Sequence, residues 1–187
     1  MKKPTGIVAE FYDLLESPQN RLVELAVSQG RIPVAYTCSL VPEPLLMADR
    51  LFPLRLHAPG VAGTEIADNY MSLYICSYTR SILEFAFDDR YDLVQGWVCV
   101  PSCAHMQRLF DNLRYLKNPA FTHTIDVPQK ATPHTTAWLA EELAILRDRI
   151  TEHFGVDMSD ASLRKAMNEW NEFVREIKAV GDLRKKE

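Results

Sequence analysis

Cys38, Cys76, Cys99 and Cys103 are the residues of this chain best suited to chemistry beyond proton transfer. Cys38 follows the apolar run VAYT, Cys76 follows SLYI, and Cys99 and Cys103 lie within WVCVPSCAH. Each therefore falls at the end of a β-like run or at the mouth of a predicted helix. In an open α/β sheet the carboxyl ends of the strands form the crevice where ligands bind. Thiols gathered there point to a soft metal or a redox centre. Thiolates rather than thiols bind metals, and a helix N-terminus favours the anion; the pattern predicts that setting for Cys76 and Cys103. Soft sulfur ligands select zinc, copper(I) or iron–sulfur clusters. The long intervals from Cys38 to Cys76 and on to Cys103 fit neither a compact zinc finger nor a bacterial ferredoxin run. Any such site must be assembled by the fold. The competing reading is packing, because free cysteine is among the most buried residue types, and Cys99 inside VQGWVCV fits that reading.

The elements that must position these thiols are legible as alternating periods. Residues 7–29 have helical periodicity broken near Pro18, and Gly30 supplies a stop. IPVAYTC (32–38) reads as a buried strand. Pro42 is placed to start a helix through Asp49, with Glu43 in its first turn beside the positive helix end. FPLRLHA (52–58) reads as a second strand and 59–69, with Gly60 and Gly63, as a loop. The spacing predicts a helix over 69–87, a strand over 93–102, a helix over 104–116 and a strand over 121–128. Two amphipathic helices follow over 135–154 and 159–180. Strand and helix alternate four times before the chain turns helical, which is the signature of a parallel, doubly wound α/β sheet.

Totals narrow the function classes. The 187 residues fit one domain, here divided into an N-terminal helical segment (1–30), an α/β half-domain (31–130) and C-terminal helices (131–187). A hydrophobic fraction of 47% and a charged fraction of 25% are ordinary for a globular protein. The net charge of -4 leaves no basic footprint for nucleic acid, and Arg184-Lys185-Lys186 reads as a solvated helix end. No stretch approaches the roughly 18 apolar residues of a membrane span, and acidic residues and prolines interrupt any signal-peptide core near the N-terminus. These features point to a soluble, cytoplasmic protein with reduced thiols. None of the glycines forms a GxGxxG or Walker pattern, so ATP hydrolysis by this chain is not expected.

Three segments together carry a resemblance. VAYTCSLVPEPLLMADRLFPLRL, ADNYMSLYICSYTRSILEFAF and YDLVQGWVCVPSCAHMQRLFDNLRYL present, in order, Cys38, Pro42-Glu43, Pro53 with Arg55, Cys76 with Arg80, and Ser102-Cys103; Asp126-Val127-Pro128 follows. This order resembles the D-component family of 2-hydroxyacyl-CoA dehydratases, to which benzoyl-CoA reductase subunits belong, over residues 30–180. The resemblance implies a Rossmann-like or flavodoxin-like half-domain and a [4Fe–4S] cluster with Cys38 and Cys76 as ligands. It implies an acyl-CoA substrate, a homologous or complementary subunit, and an ATP-dependent activator protein delivering a low-potential electron. The chemistry implied is reductive dehydration through a ketyl radical, or reduction of an aromatic ring, in an oxygen-sensitive heteromer. Members of that family are longer, with a second domain that supplies the third cluster cysteine. Their Cys-Asp pair stands here as Cys103-Ala104, and their Pro-Glu-Glu as Pro42-Glu43-Pro44. The chain is thus expected to be inactive alone, with Cys103 as a candidate third ligand.

Further candidates follow from position. Ser39 and Ser77 each succeed a cysteine and can hydrogen-bond a thiolate or a substrate carbonyl, or simply cap a helix. Arg80, one turn beyond Cys76, can attract a CoA phosphate or stabilise the thiolate, or pair with Glu84 at i,i+4. Glu43 is a candidate acid/base group, with helix-dipole complementation as the alternative. His105 lies two residues after Cys103, but residues i and i+2 point to different helix faces, so a structural or surface histidine is expected. His123 and His134 have no recognisable ligand spacing. The alternatives to a cluster-bearing subunit are a non-catalytic assembly or binding module that keeps the fold, and a zinc-binding structural domain.

Overall fold

Four short strands, β1 (Ile32–Tyr36), β2 (Leu51–Arg55), β3 (Gly96–Cys99) and β4 (Thr122–Thr124), form one parallel sheet in the order β2-β1-β3-β4. The computed structural model describes residues 5–185; Lys186 of the basic C-terminal run and the two N-terminal lysines lie outside them. β1 is central. Its Val34 is in register with Pro53 of β2 and with Gly96 of β3. Pro53 is tolerable because β2 lies at the sheet edge, where a missing N–H breaks no inner ladder.

All five residues of β1 are buried, as a parallel strand covered on both faces requires. Its side chains alternate between two cores. Ile32, Val34 and Tyr36 pack on one face with Leu46, Leu51, Val98, Leu146 and Ile150. Ala35 packs on the other with Leu56, Ile82, Leu83, Trp97, Leu109 and Leu113. The first face is covered by α5 (Pro133–Phe154), α6 (Asp160–Leu183) and a short 3-10 turn over Glu43–Met47. The second is covered by α3 (Ser77–Phe87) and α4 (Ala104–Leu116), which pack on each other. Leu146 and Ile150 are fully buried one turn apart on α5, each stabilising the fold by roughly 1.5–3 kcal/mol through area removed from water. Gly96 has a packing reason: a Cβ there would stand 2.9 Å from the Phe154 ring and 3.0 Å from that of Phe121.

Local signals set several boundaries. Thr132 and Thr135 form a reciprocal capping box at the start of α5, with Pro133 at the first helical position. Gly155 ends α5 at φ 60°, and Ser159 caps α6 through the Ser162 N–H. At the N-terminus, α1 (Ile7–Leu15) and α2 (Arg21–Ser28) are separated around Pro18, and Gly30 turns at φ 78° into β1. α1 buries none of its side chains.

Two expected helices differ. The segment after Pro42 forms only the 3-10 turn, because Pro44 removes a second donor and Ala48 is already extended (ψ 140°) toward β2. The helix expected from Asn69 begins instead at Ser77. Residues Ala67–Asn69 form a separate 3-10 turn, and Cys76 is an extended N-cap (φ -59°, ψ 145°). The cause is tertiary: the buried Glu84 carboxylate accepts the N–H groups of Ile66 (3.3 Å) and Ala67 (2.8 Å), folding the loop back onto α3. Among the described residues no helix is long and apolar enough to cross a membrane.

Candidate functional site

In a 2-1-3-4 parallel sheet the chain runs to opposite sides from β1 and β3, leaving a crevice beyond the carboxyl ends of those strands. Cys38 lies two residues past β1 and is half-buried. Its neighbours Thr37 and Ser39 join Arg55, Leu56, Tyr78 and Met106 around a cleft of about 700 Å³, within the roughly 300–1,000 Å³ span of small-molecule sites. Leu15, from the end of α1, closes one side. The wall also holds unmet hydrogen-bonding capacity, because Thr37 Oγ1 and His57 Nε2 are buried without partners. Buried polar atoms without partners mark strain, ordered water or a ligand site.

Cys76 and Cys103 are both exposed N-caps, of α3 and α4 respectively; the sequence predicts this for Cys103, and Cys76 reaches it because α3 begins at Ser77 rather than Asn69. Thr79, fully buried, places its hydroxyl 3.0 Å from the Cys76 carbonyl oxygen, to which it donates, and 3.4 Å from the Cys76 sulfur. Partial burial pushes the Cys76 thiol up. The hydroxyl and backbone N–H of Thr79 lead the contacts that outweigh it and hold the thiol below its ordinary range. Cys99 is the opposite case. It is buried in the α3/α4 core, and burial pushes its thiol up to about 12, so the packing reading of Cys99 agrees with its place in the fold.

Tyr78 ties the cleft to α3. Its hydroxyl donates to the Leu56 carbonyl at 2.8 Å. Burial raises its phenol, Arg55 opposes that rise, and the thiols of Cys38 and Cys76 both add to it. Cys38 shares the cleft wall with Tyr78, which stands two residues after Cys76 in the first turn of α3. Among the described residues, however, no three His, Cys, Asp or Glu side chains are grouped closely enough to hold a metal ion. The donor chemistry fits a cluster at Cys38 and Cys76, and the number of grouped ligands falls short of one.

The remaining candidates have distinct positions. Ser39 is exposed on the cleft rim and Ser77 is exposed in the first turn of α3. Arg80 forms an ion pair with Asp68 at 2.5 Å, with its Nε buried and unpartnered; the pair with Glu84 does not form, because Glu84 holds the 66–67 turn instead. Glu43 accepts a hydrogen bond from Tyr36, whose side chain packs in the α5/α6 core. Burial, with the Glu43 carboxylate beside it, pushes the Tyr36 phenol well above its ordinary range. Glu43 is therefore drawn to the face opposite α3, away from Cys76.

Spacing gives His105 no role beside Cys103. Its Nδ1 nevertheless accepts the Cys76 N–H at 3.0 Å across the α3/α4 contact. Nothing in the local pattern signals this partner. Sequence reasoning misses Thr79 as well, although a Thr three residues after an N-cap is a recognisable position. Arg55, His57 and Met106 reach the cleft only through the sheet and helix arrangement.

Comparison with known proteins gives three findings. The family model described as 2-hydroxyglutaryl-CoA dehydratase, D-component matches residues 38–187. The (R)-phenyllactyl-CoA dehydratase beta subunit of Clostridium sporogenes is 24% identical over 168 residues, covering 87% of this chain and 44% of that protein. A benzoyl-CoA reductase subunit of Thauera aromatica is 26% identical over 157 residues, covering 82% of this chain and 40% of its own length. The chain therefore spans less than half the length of either relative.

Proposed function

Because the chain belongs to the 2-hydroxyglutaryl-CoA dehydratase, D-component family, we propose that it is a subunit, or part of one, in an iron–sulfur acyl-CoA dehydratase or benzoyl-CoA-reductase-type complex. Cys38 and Cys76 are the thiolates it contributes to a [4Fe–4S] cluster. The observation that supports the assignment is that Cys38 lines one cleft with Tyr78, a residue of the first turn of α3, whose N-cap is the exposed Cys76. At least one further ligand is required, from Cys103 after rearrangement or from another chain or domain. When bound, such a cluster supplies a low-potential electron to an acyl-CoA thioester, chemistry that acid–base side chains do not provide.

The residues of this chain then bind and orient. Leu15, Leu56, Met106 and the Tyr78 ring exclude water from the cleft and face the acyl portion. The Ser39 and Ser77 hydroxyls donate to a thiolate or to the thioester carbonyl. Arg55, on the cleft rim, and Arg80, once it shares its charge with Asp68, favour an anionic group such as a CoA phosphate. Glu43 holds Tyr36 and with it the turn after Cys38; as an acid/base group it would serve the rim of that turn. Electron supply falls to a separate ATP-dependent activator, and the site is completed by a homologous or complementary partner chain.

The test is anaerobic purification of the chain, alone and with a co-expressed partner chain, with iron, sulfide and zinc measured per chain. Cluster iron with matching sulfide is expected in the complex, reduced in Cys38→Ala and Cys76→Ala. Unchanged iron in both variants refutes the ligand assignment. A folded, colourless, metal-free complex supports the second reading, an assembly module, which the lack of a three-ligand group among the described residues favours. Zinc in place of iron supports a structural zinc domain.

A further inference from the structure

We infer that His105 is the positioning residue for Cys76: from the first turn of α4 its ring takes up the backbone N–H of Cys76, and so fixes the direction in which α3 presents its thiol. The inference rests on the reading of Cys76 as a ligand for its purpose, and on geometry for its substance.

An N-cap residue has a specific weakness. Its carbonyl enters the helix, but its N–H lies outside the hydrogen-bond ladder. In a capping box the side chain three residues on reaches back and takes that N–H. In α3 the residue at that position is Thr79, and its hydroxyl is spent elsewhere, on the Cys76 carbonyl and sulfur. The Cys76 N–H goes instead to His105 Nδ1 at 3.0 Å. Accepting with Nδ1 requires the ring proton to sit on Nε2, so the contact defines the histidine tautomer as well.

The arrangement holds Cys76 from two directions. Thr79 is fully buried and fixes the carbonyl side from within α3. His105 fixes the amide side from α4, in the helix pair that forms the core of that face. The residue is otherwise exposed and follows a loop with exposed Leu73 and Tyr74. Met71 and Ile75 hold the preceding segment on the α3/α4 core, but without the second anchor the Cys76 N–H itself has no partner, and the thiol samples several directions. Ligands held by a locked second layer of hydrogen bonds keep their geometry better than ligands on free loops.

The experiment uses the full chain with isotope-labelled cysteine, in the unsubstituted form and as His105→Ala and His105→Asn. The asparagine carbonyl can replace Nδ1 as acceptor. Two measurements need no metal: hydrogen exchange of the Cys76 amide, and the Cys76 Hα–Hβ couplings that report its side-chain rotamer. The alanine variant is expected to exchange about fivefold to tenfold faster, the effect of losing one hydrogen bond, and to average its couplings; the asparagine variant restores both. Iron retention after anaerobic reconstitution with iron and sulfide is then read on the same proteins co-expressed with the partner chain, with faster loss expected for the His105→Ala variant only. If exchange and couplings in His105→Ala match the parent, or if asparagine restores neither, the positioning role is refuted whatever the iron does. If the parent binds no iron even with its co-expressed partner chain while the alanine variant still frees the amide and the rotamer, the cluster reading falls and the positioning role stands.

Discussion

Removal of the Glu84 carboxylate is the sharpest test of how α3 is seated. Glu84 is 7% exposed and accepts two backbone N–H groups of the preceding turn, from Ile66 and from Ala67. The two bonds are unequal. Ile66 is exposed, so its N–H can turn to water after the loss. Ala67 is fully buried, and its N–H would be left without a partner. Counting one bond to a charged acceptor and the desolvation of one orphaned donor, Glu84→Ala is expected to cost about 2.5–6 kcal/mol. Glu84→Gln keeps one acceptor oxygen but sets an NH2 against the second donor, for a loss of about 1–2 kcal/mol. Urea unfolding followed by tryptophan fluorescence and circular dichroism measures both. Limited proteolysis adds location, because a freed turn exposes the segment from Pro59 to Cys76 to cleavage. Glu84→Ala within about 0.5 kcal/mol of the parent, the usual scatter for surface changes, together with unchanged resistance to cleavage, would refute the claim that this carboxylate is what ends the loop and starts α3 at Ser77.

Two further outcomes are expected. His123 is buried, accepts from Arg149 through Nδ1 at 2.9 Å and has its Nε2 unpartnered; burial first, then Arg149, lowers its pKa. The unfolded chain therefore takes up this proton before the folded chain does, so stability is full above the ordinary histidine range and is lost as pH falls through it toward the lowered value, by at most about 1.4 kcal/mol per pH unit. His123→Gln, which keeps an acceptor for Arg149, should flatten that limb of a melting-temperature profile; an identical slope counts against it. In the metal-free chain at neutral pH, iodoacetamide should modify Cys76 first and Cys99 last, read by peptide mass spectrometry, since one thiol is exposed and lowered and the other buried and raised. Early modification of Cys99 in folded protein would contradict the packing described.

Much of the fold is local enough to be read from the chain. Gly30 and Ser159 stop and start elements through contacts a few residues apart, and so do Gly155 and the Thr132–Thr135 box, although periodicity predicts that helix only from Thr135 while α5 begins at Pro133. Strand alternation separates the two faces of β1 for the same reason, since side-chain direction repeats every second residue. The order of motifs around Cys38, Cys76 and Cys103 is sufficient to identify the family, and the N-cap setting of Cys103 follows from where its apolar run ends. Those are properties of sequence neighbours.

What the tertiary structure alone decided depends on partners far apart in the chain. The start of α3 moved from Asn69 to Ser77 because Glu84 captured the turn at 66–67. Arg80 chose Asp68 over Glu84, and Glu43 turned to Tyr36 on the other face of the sheet. Cys38 and the start of α3 meet at one cleft only because β1 lies between β2 and β3, and His105 reaches Cys76 only because α3 and α4 pack side by side, 29 residues apart in sequence. Periodicity and capping specify which face of an element is apolar and where it ends. They carry no information on which other element will cover that face, and it is that choice that gives the Cys76 N–H its partner in His105, while the Thr79 contacts stay local.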